Sequence, residues 1–171
     1  MKDRASSEID GASPRLREPS RKAETEVARR RAASDLARES GVLRVNGSSM
    51  MPTLAESSWV RFSERAPRVG DIVVFRRELG DLLVHRFLGY RPLRWGPVGE
   101  SQDPWIVTKP DAAAEFDVEV RRSALLGTVD ALRFESSEPW RDAEVSWARR
   151  IRSAMWFLRY VLQRTLRRLT R

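Results

Sequence analysis

Short apolar segments separated by turn-forming residues run from residue 42 to residue 134. They cover residues 42–45, 59–62, 71–75, 82–90, 105–108 and 125–134. Glycine, proline, asparagine and aspartate lie between them, which is typical of strands joined by hairpins. No helical segment intervenes to supply the crossover connections that a parallel sheet requires. The pattern predicts a mainly β fold, an antiparallel, hairpin-rich sheet or small barrel, over residues 41–137.

A helix is predicted on each side of this β-rich segment. Residues 20–40 are rich in Ala, Arg and Glu, with Ser20 as a candidate N-cap and Gly41 as the stop. From about Glu138 to residue 171, apolar residues recur at steps of three and four and arginines occupy the other face, which predicts a basic amphipathic helix. The apolar set is Trp147, Ile151, Met155, Leu158, Leu162, Leu166 and Leu169. Residues 1–19 contain few large apolar side chains, so we predict a disordered tail.

The composition narrows the chemistry that the chain can perform. The 171 residues include no cysteine, which excludes disulfides, a thiol nucleophile and thiolate metal ligands. We expect neither a metal nor a cofactor. The net charge is +8, and nearly all of the basic residues are arginine. No apolar stretch reaches the ~18 residues of a membrane span, and no export-signal core is present, so the sequence predicts a cytoplasmic protein.

Residues 47–54 read Gly-Ser-Ser-Met-Met-Pro-Thr-Leu and are the strongest chemical signal. A serine hydroxyl needs a base within hydrogen-bond reach before it acts as a nucleophile. The chain has one histidine, His85, and imidazole is largely neutral near pH 7. Taken separately, the box could be a plain hairpin turn and His85 a hydrogen-bonded core residue.

Further segments make the box more specific. Residues 70–73 read Gly-Asp-Ile-Val, His85 lies in the segment 83–89, residues 107–111 read Val-Thr-Lys-Pro-Asp, and residues 127–129 read Gly-Thr-Val. Together with Ser-Met-x-Pro-Thr, and in this order, they resemble the conserved boxes of the signal peptidase I clan of serine peptidases. The resemblance covers about residues 42–130 and implies the β-fold shared by signal peptidases and SOS-type repressors.

The resemblance also implies roles for particular residues. His85 stands where the ER-type and archaeal branch has its histidine base, so Ser49 and His85 are the expected nucleophile and base. Asp111 or Asp117 would orient the histidine, and we favour Asp111 because it lies in the recognisable turn, although Pro110 replaces the family's usual glycine there. Lys109 is a rival base.

An oxyanion site is implied as well. The Ser49 amide is the expected first donor. Gly47 replaces a serine that housekeeping signal peptidases often have two residues before the nucleophile. Asn46 or Ser48 is therefore the candidate for the second donor.

The implied activity is that of a serine endopeptidase that cleaves an extended peptide or precursor with small residues at the cut. Two alternatives stay open. The chain could be an inactive peptide-binding module of the same fold, or a self-cleaving regulator. Residues 1–40 have too little apolar periodicity for a helix-turn-helix, so nucleic acid is not favoured as a partner. The C-terminal helix, within residues 144–171, either contacts an anionic membrane peripherally or packs on the domain or a partner.

Overall fold

The computed structural model describes residues 21–77, 80–91, 103–117 and 119–170. The predicted disordered tail, residues 1–19, lies outside this part of the chain. The elements in chain order are α1 (Arg21–Ser40), β1 (Val42–Arg44), β2 (Trp59–Ser63), β3 (Ile72–Arg76), β4 (Leu82–Tyr90), β5 (Trp105–Lys109), β6 (Val120–Arg121), β7 (Leu125–Arg133), β8 (Arg141–Asp142) and α2 (Trp147–Leu169).

All strands join one antiparallel sheet in the order β1-β2-β7-β3-β4-β5-β6, and β8 also pairs with β7. The long strand β7 is paired with β2 along one edge, and with β3 and then β8 along the other. The two edges of β4 also have different partners along its length. Residues Leu82–Arg86 pair with β3 along one edge, and residues from Arg86 to Tyr90 pair with β5 along the other. The mainly β, antiparallel architecture with a helix at each end is therefore confirmed.

The six predicted strands are present with small shifts at their ends. Two strands of two residues each, β6 and β8, were not predicted, because such short segments carry no alternating pattern. The predicted start of the second helix near Glu138 is wrong. Residues 141–142 pair with β7, and α2 begins only at Trp147, where the Ser146 hydroxyl accepts a hydrogen bond from the Arg149 amide.

The core lies between the sheet and the loops that cross it. The largest cluster joins strand residues such as Val60, Phe62 and Val74 to Met50 and Leu54, both fully buried in the serine box. Burying a large apolar side chain contributes roughly 1.5–3 kcal/mol. Met50 and Leu54 therefore fix this box to the rigid part of the domain.

Helix α2 packs across β4 and β5 through one side only. Tyr160 lies against Leu88 and Val107, and Phe157 packs so closely on Gly89 that a Cβ there would be 3.0 Å from its ring. A larger residue here would have to displace the Phe157 ring, so glycine suits the close contact between β4 and α2. Within the described residues, no helix is long and apolar enough to cross a bilayer.

The predicted apolar stripe of α2 does not pack on the sheet. The packed side carries Ser153, Trp156, Phe157, Tyr160 and Val161, all buried or half-buried. The stripe from Trp147 to Leu169 is exposed to solvent. The alternative in which this stripe covers the domain is therefore wrong for the described residues.

Candidate active site

The loop after β1 carries Ser49 and is held at several points. Beyond β1 and β2 the hairpin continues, since the Val45 amide donates to the Ser58 carbonyl over 2.7 Å. Within the loop, the Thr53 and Leu54 amides both donate to the Met50 carbonyl, which makes a tight helical turn. Gly47 has φ of +102°, in a region that L residues rarely adopt, and nothing lies where its Cβ would be. The glycine therefore serves the turn rather than close packing.

The Ser49 side chain is exposed while its backbone is tied to a neighbouring loop. The Ser49 carbonyl accepts a hydrogen bond of 3.0 Å from the Ala112 amide. Among the described residues, the Ser48 and Ser49 amides have no acceptor. Both N–H groups are thus unpaired there, as oxyanion donors must be before a substrate binds. Within the described residues, the Asn46 and Ser48 side chains form no hydrogen bond that would fix either as a second donor.

His85 lies between Ser49 and Asp117. It is on β4, paired in register with Val73, and its ring meets the edge of the Phe75 ring. Its Nε2 is 3.2 Å from the Ser49 hydroxyl oxygen, and its Nδ1 is 2.7 Å from the Asp117 Oδ2. An ionised carboxylate can only accept, so Nδ1 carries the proton and Nε2 is left to accept from the serine.

Asp117 is positioned by β5. The Thr108 hydroxyl donates to its Oδ2 over 2.7 Å, and the Asp117 amide donates to the Thr108 carbonyl over 3.1 Å. This pair of contacts directs the carboxylate at the imidazole. Thr108 was not identified from the sequence as a site residue, although it stands in the recognised 107–111 segment.

Asp111 does not contact His85, so our preference for it as the orienting carboxylate is wrong. Arg86 donates to it through Nε, at 2.7 Å, and through a second nitrogen, and the Thr53 hydroxyl donates to it as well. Successive strand residues point to opposite faces, so Arg86 directs Asp111 away from its neighbour His85. Arg86 is only 1% exposed, and its remaining arm donates to the Gly70 carbonyl over 2.6 Å.

The environment of Asp111 keeps it ionised. Burial alone would raise the pKa of its carboxyl group, but the hydrogen bonds from Arg86 and Thr53 and the Arg86 charge outweigh burial and hold the pKa below its ordinary value. The buried Arg86–Asp111 pair therefore joins β4 to the serine box and to the 110–117 loop. The pair therefore holds parts of the fold together. Nothing in the sequence distinguished Asp111, as a structural residue, from a catalytic carboxylate.

The Lys109 amine is bound by groups other than Ser49. Burial lowers the pKa of its ammonium group below the ordinary value, as a lysine base would need. However, the amine donates to the carbonyls of Pro110 and Ala113 and lies 4.2 Å from the centre of the Trp156 ring. The amine is therefore engaged in shaping the 110–113 turn and contacting α2, which leaves His85 as the base within reach of the hydroxyl.

Two polar clusters fasten α2 beside this site. Near its start, Arg150 binds the buried Asp71 at 3.1 Å and the Val69 carbonyl. Further along, Arg164 lies 2.7 Å from Glu119, to which Tyr160 also donates. Burial, followed by that hydrogen bond, raises the pKa of Tyr160, so its hydroxyl remains a donor.

A cleft of about 450 Å³ opens between α2 and the 114–117 loop. Asp117 lies at this cleft, opposite Arg159, Gln163 and Arg167.

In the described ranges, no group of three histidine, aspartate or glutamate residues could hold a metal ion. No protein-family model matches the sequence, and no curated protein is significantly similar to it.

Proposed function

We propose that the protein is a serine endopeptidase with a Ser49–His85–Asp117 triad, of the signal peptidase I type suggested by its sequence boxes. The observation that carries the proposal is His85, whose two ring nitrogens lie 3.2 Å from the Ser49 hydroxyl and 2.7 Å from the Asp117 carboxylate. A serine, an imidazole and a carboxylate in this order are recognised as a triad by geometry rather than by fold. The proposal includes the finer fold assignment, a signal-peptidase-like sheet.

In the proposed reaction, the Ser49 oxygen attacks a peptide carbonyl while His85 Nε2 takes the hydroxyl proton. The oxygen of the tetrahedral intermediate is stabilised by the Ser49 amide. His85 then gives its proton to the leaving amine. In the second half of the reaction, water attacks the acyl-enzyme while His85 takes a proton from it, and His85 returns that proton to the Ser49 oxygen as the acid product leaves. Asp117 keeps the Nδ1–H tautomer in place and stabilises the imidazolium.

The sheet offers a place for an extended substrate. Within the described ranges, residues 82–85 of β4 have β3 along one edge but no strand along the other. This open edge ends at His85. A peptide that adds there as a strand would pair through its main chain, and its side chains would alternate between two faces. The preference for small residues at the cut comes from the resemblance.

Covalent labelling tests the proposal directly. A fluorophosphonate probe should label the full-length wild-type protein, with mass spectrometry placing the adduct on Ser49. Ser49→Ala should remove the label and His85→Ala should reduce it by at least 100-fold, because serine without its base is a weak nucleophile. Ser136→Ala, which removes an exposed serine in another loop, is the matched control and should label like wild type.

A folded wild-type protein that takes no label would overturn the peptidase proposal and favour the peptide-binding module. The substrate is then sought by mapping cleavage sites in candidate precursor proteins with wild type and Ser49→Ala in parallel. Cuts that depend on Ser49 and follow small residues would support the specificity. Ser49-dependent cuts confined to the protein's own chain would favour the self-cleaving regulator.

A further inference from the structure

The exposed stripe of α2 forms a continuous apolar face. Its seven members are between 40% and 78% exposed: Trp147, Ile151, Met155, Leu158, Leu162, Leu166 and Leu169. Isolated exposed apolar residues are ordinary, but a contiguous set on one helix marks an interaction surface. The first 20 residues have only Met1, Ile9 and Leu16 as large apolar side chains, too few to cover it.

The spacing within this apolar face distinguishes between possible partners. Successive members are separated by four, four and three residues, and this pattern occurs twice. It is an eleven-residue repeat of about 3.67 residues per turn, whereas a left-handed coiled coil requires about 3.5. The apolar face therefore follows one side of a straight helix for roughly 33 Å. The spacing therefore disfavours a left-handed coiled coil and suits either a flat surface or a right-handed helix pair, between which the charges decide.

The charges beside the apolar face favour an anionic partner. Residues 147–169 include no aspartate or glutamate. Arg150 and Arg164 are bound to carboxylates of the domain, Arg152 and Arg159 are exposed beside the apolar face, and Arg167 lines the cleft that also holds Asp117. A second copy of α2 would bring further arginines and no carboxylate of its own to this face. Anionic lipid headgroups would instead neutralise Arg152 and Arg159.

We propose that the apolar face of α2 docks on an anionic lipid bilayer, with the helix axis in the plane of the surface. The seven apolar side chains enter the boundary between headgroups and acyl chains, to a depth of about 5–10 Å. Arg152 and Arg159 bind the headgroups. Because the ties to Asp71 and Glu119 lie on the packed side, α2 can dock while it remains attached to the domain. The proposal does not depend on Ser49 being a nucleophile.

Vesicle co-sedimentation of the full-length protein tests this docking. Partition into phosphatidylglycerol–phosphatidylcholine vesicles should exceed partition into pure phosphatidylcholine, and the excess should fall as salt is raised. Leu158→Gln should lower partition on the order of tenfold, because one leucine loses its burial in the bilayer. Leu36→Gln is the matched control, since Leu36 lies on α1 and both leucines are 67% exposed. It should bind like wild type.

The arginine contribution is measured separately. Arg152→Gln combined with Arg159→Gln should lower partition into the anionic vesicles by roughly tenfold or more, with little effect on neutral vesicles. Equal partition into neutral and anionic vesicles would overturn the anionic part of the proposal. Failure to bind any vesicle would overturn the proposal entirely. If vesicle binding is absent and sedimentation velocity shows a dimer that Leu158→Gln dissociates, the apolar face is an interface between two copies instead.

Discussion

Replacing Asp111 by asparagine should weaken the fold severely without removing Asp117, the carboxylate beside His85. The substitution leaves the Arg86 cation, 1% exposed, without its counter-charge. Removing one partner of a buried ion pair typically costs 3–5 kcal/mol. For a chain of 171 residues, this corresponds to a fall in Tm of roughly 6–20 °C.

Chemical and thermal unfolding followed by circular dichroism would measure the loss. Asp35→Asn is the matched control, because Asp35 is exposed and its distance to Arg76 is 3.7 Å; its unfolding should match wild type. A second variant, Arg86→Met with Asp111→Asn, removes both charges. It leaves the Gly70 carbonyl without its donor, at a cost of about 1 kcal/mol, so it should be more stable than Asp111→Asn by about 2 kcal/mol.

The difference in stability between wild type and Asp111→Asn should change with pH in a definite direction. Because the pKa of Asp111 is lowered by folding, its contribution is complete above the ordinary value of 3.8 and is lost as pH falls from there through the folded-state value. The stability gap between wild type and Asp111→Asn should therefore shrink below about pH 3.8. A loss under 1 kcal/mol near pH 7, or a double variant no more stable than the single one, would refute the reasoning.

Three further predictions concern the site and its support. Asp117→Asn should lower the labelling rate of Ser49 by about 10⁴-fold while unfolding changes little, since the tautomer is lost but the fold is not; a loss under tenfold would contradict the assigned role. Lys109→Met should keep the rate of Ser49 labelling within about tenfold of wild type. Abolished labelling in a folded protein would support Lys109 as the base instead. Gly89→Ala should lower the free energy of unfolding by about 1–3 kcal/mol, because its Cβ meets the Phe157 ring, and unchanged urea unfolding would contradict this.

The strand positions were predictable because each strand has its own local signal. Alternating or continuous apolar runs bounded by Gly, Pro and Asn define the six longer strands, and β4 matches its predicted bounds of Leu82–Tyr90. The strand order was not predictable, because pairing β7 between β2 and β3 depends on contacts between residues far apart in sequence. The start of α2 was misplaced because residues 138–146 were included in the amphipathic helix. Two of those residues pair with β7 instead.

Part of the candidate site could be predicted from residue types and from the recognisable segments of the sequence. The serine box and the single histidine identified two members of the proposed triad. Choosing between Asp111 and Asp117 needed the position of Arg86, a residue without any catalytic signal in the sequence. The orientation of α2 was also beyond the sequence, because its aromatic side and its aliphatic stripe are both apolar and only the packing of Tyr160 and Phe157 on β4 and β5 separates them.

His85 and Arg86 are neighbours on β4, so the proposed chemistry depends on the register of this strand. These neighbours point to opposite faces, one toward Ser49 and the other toward Asp111. A slip of β4 by one residue in one direction would present Arg86 to the serine and Phe87 to Asp111, and a slip in the other direction would present Val84 to the serine and His85 to Asp111. A misregistered chain would thus lose its proton acceptor and its internal counter-ion together. Folding errors in this sheet should therefore yield inert, unstable chains rather than stable molecules with altered chemistry.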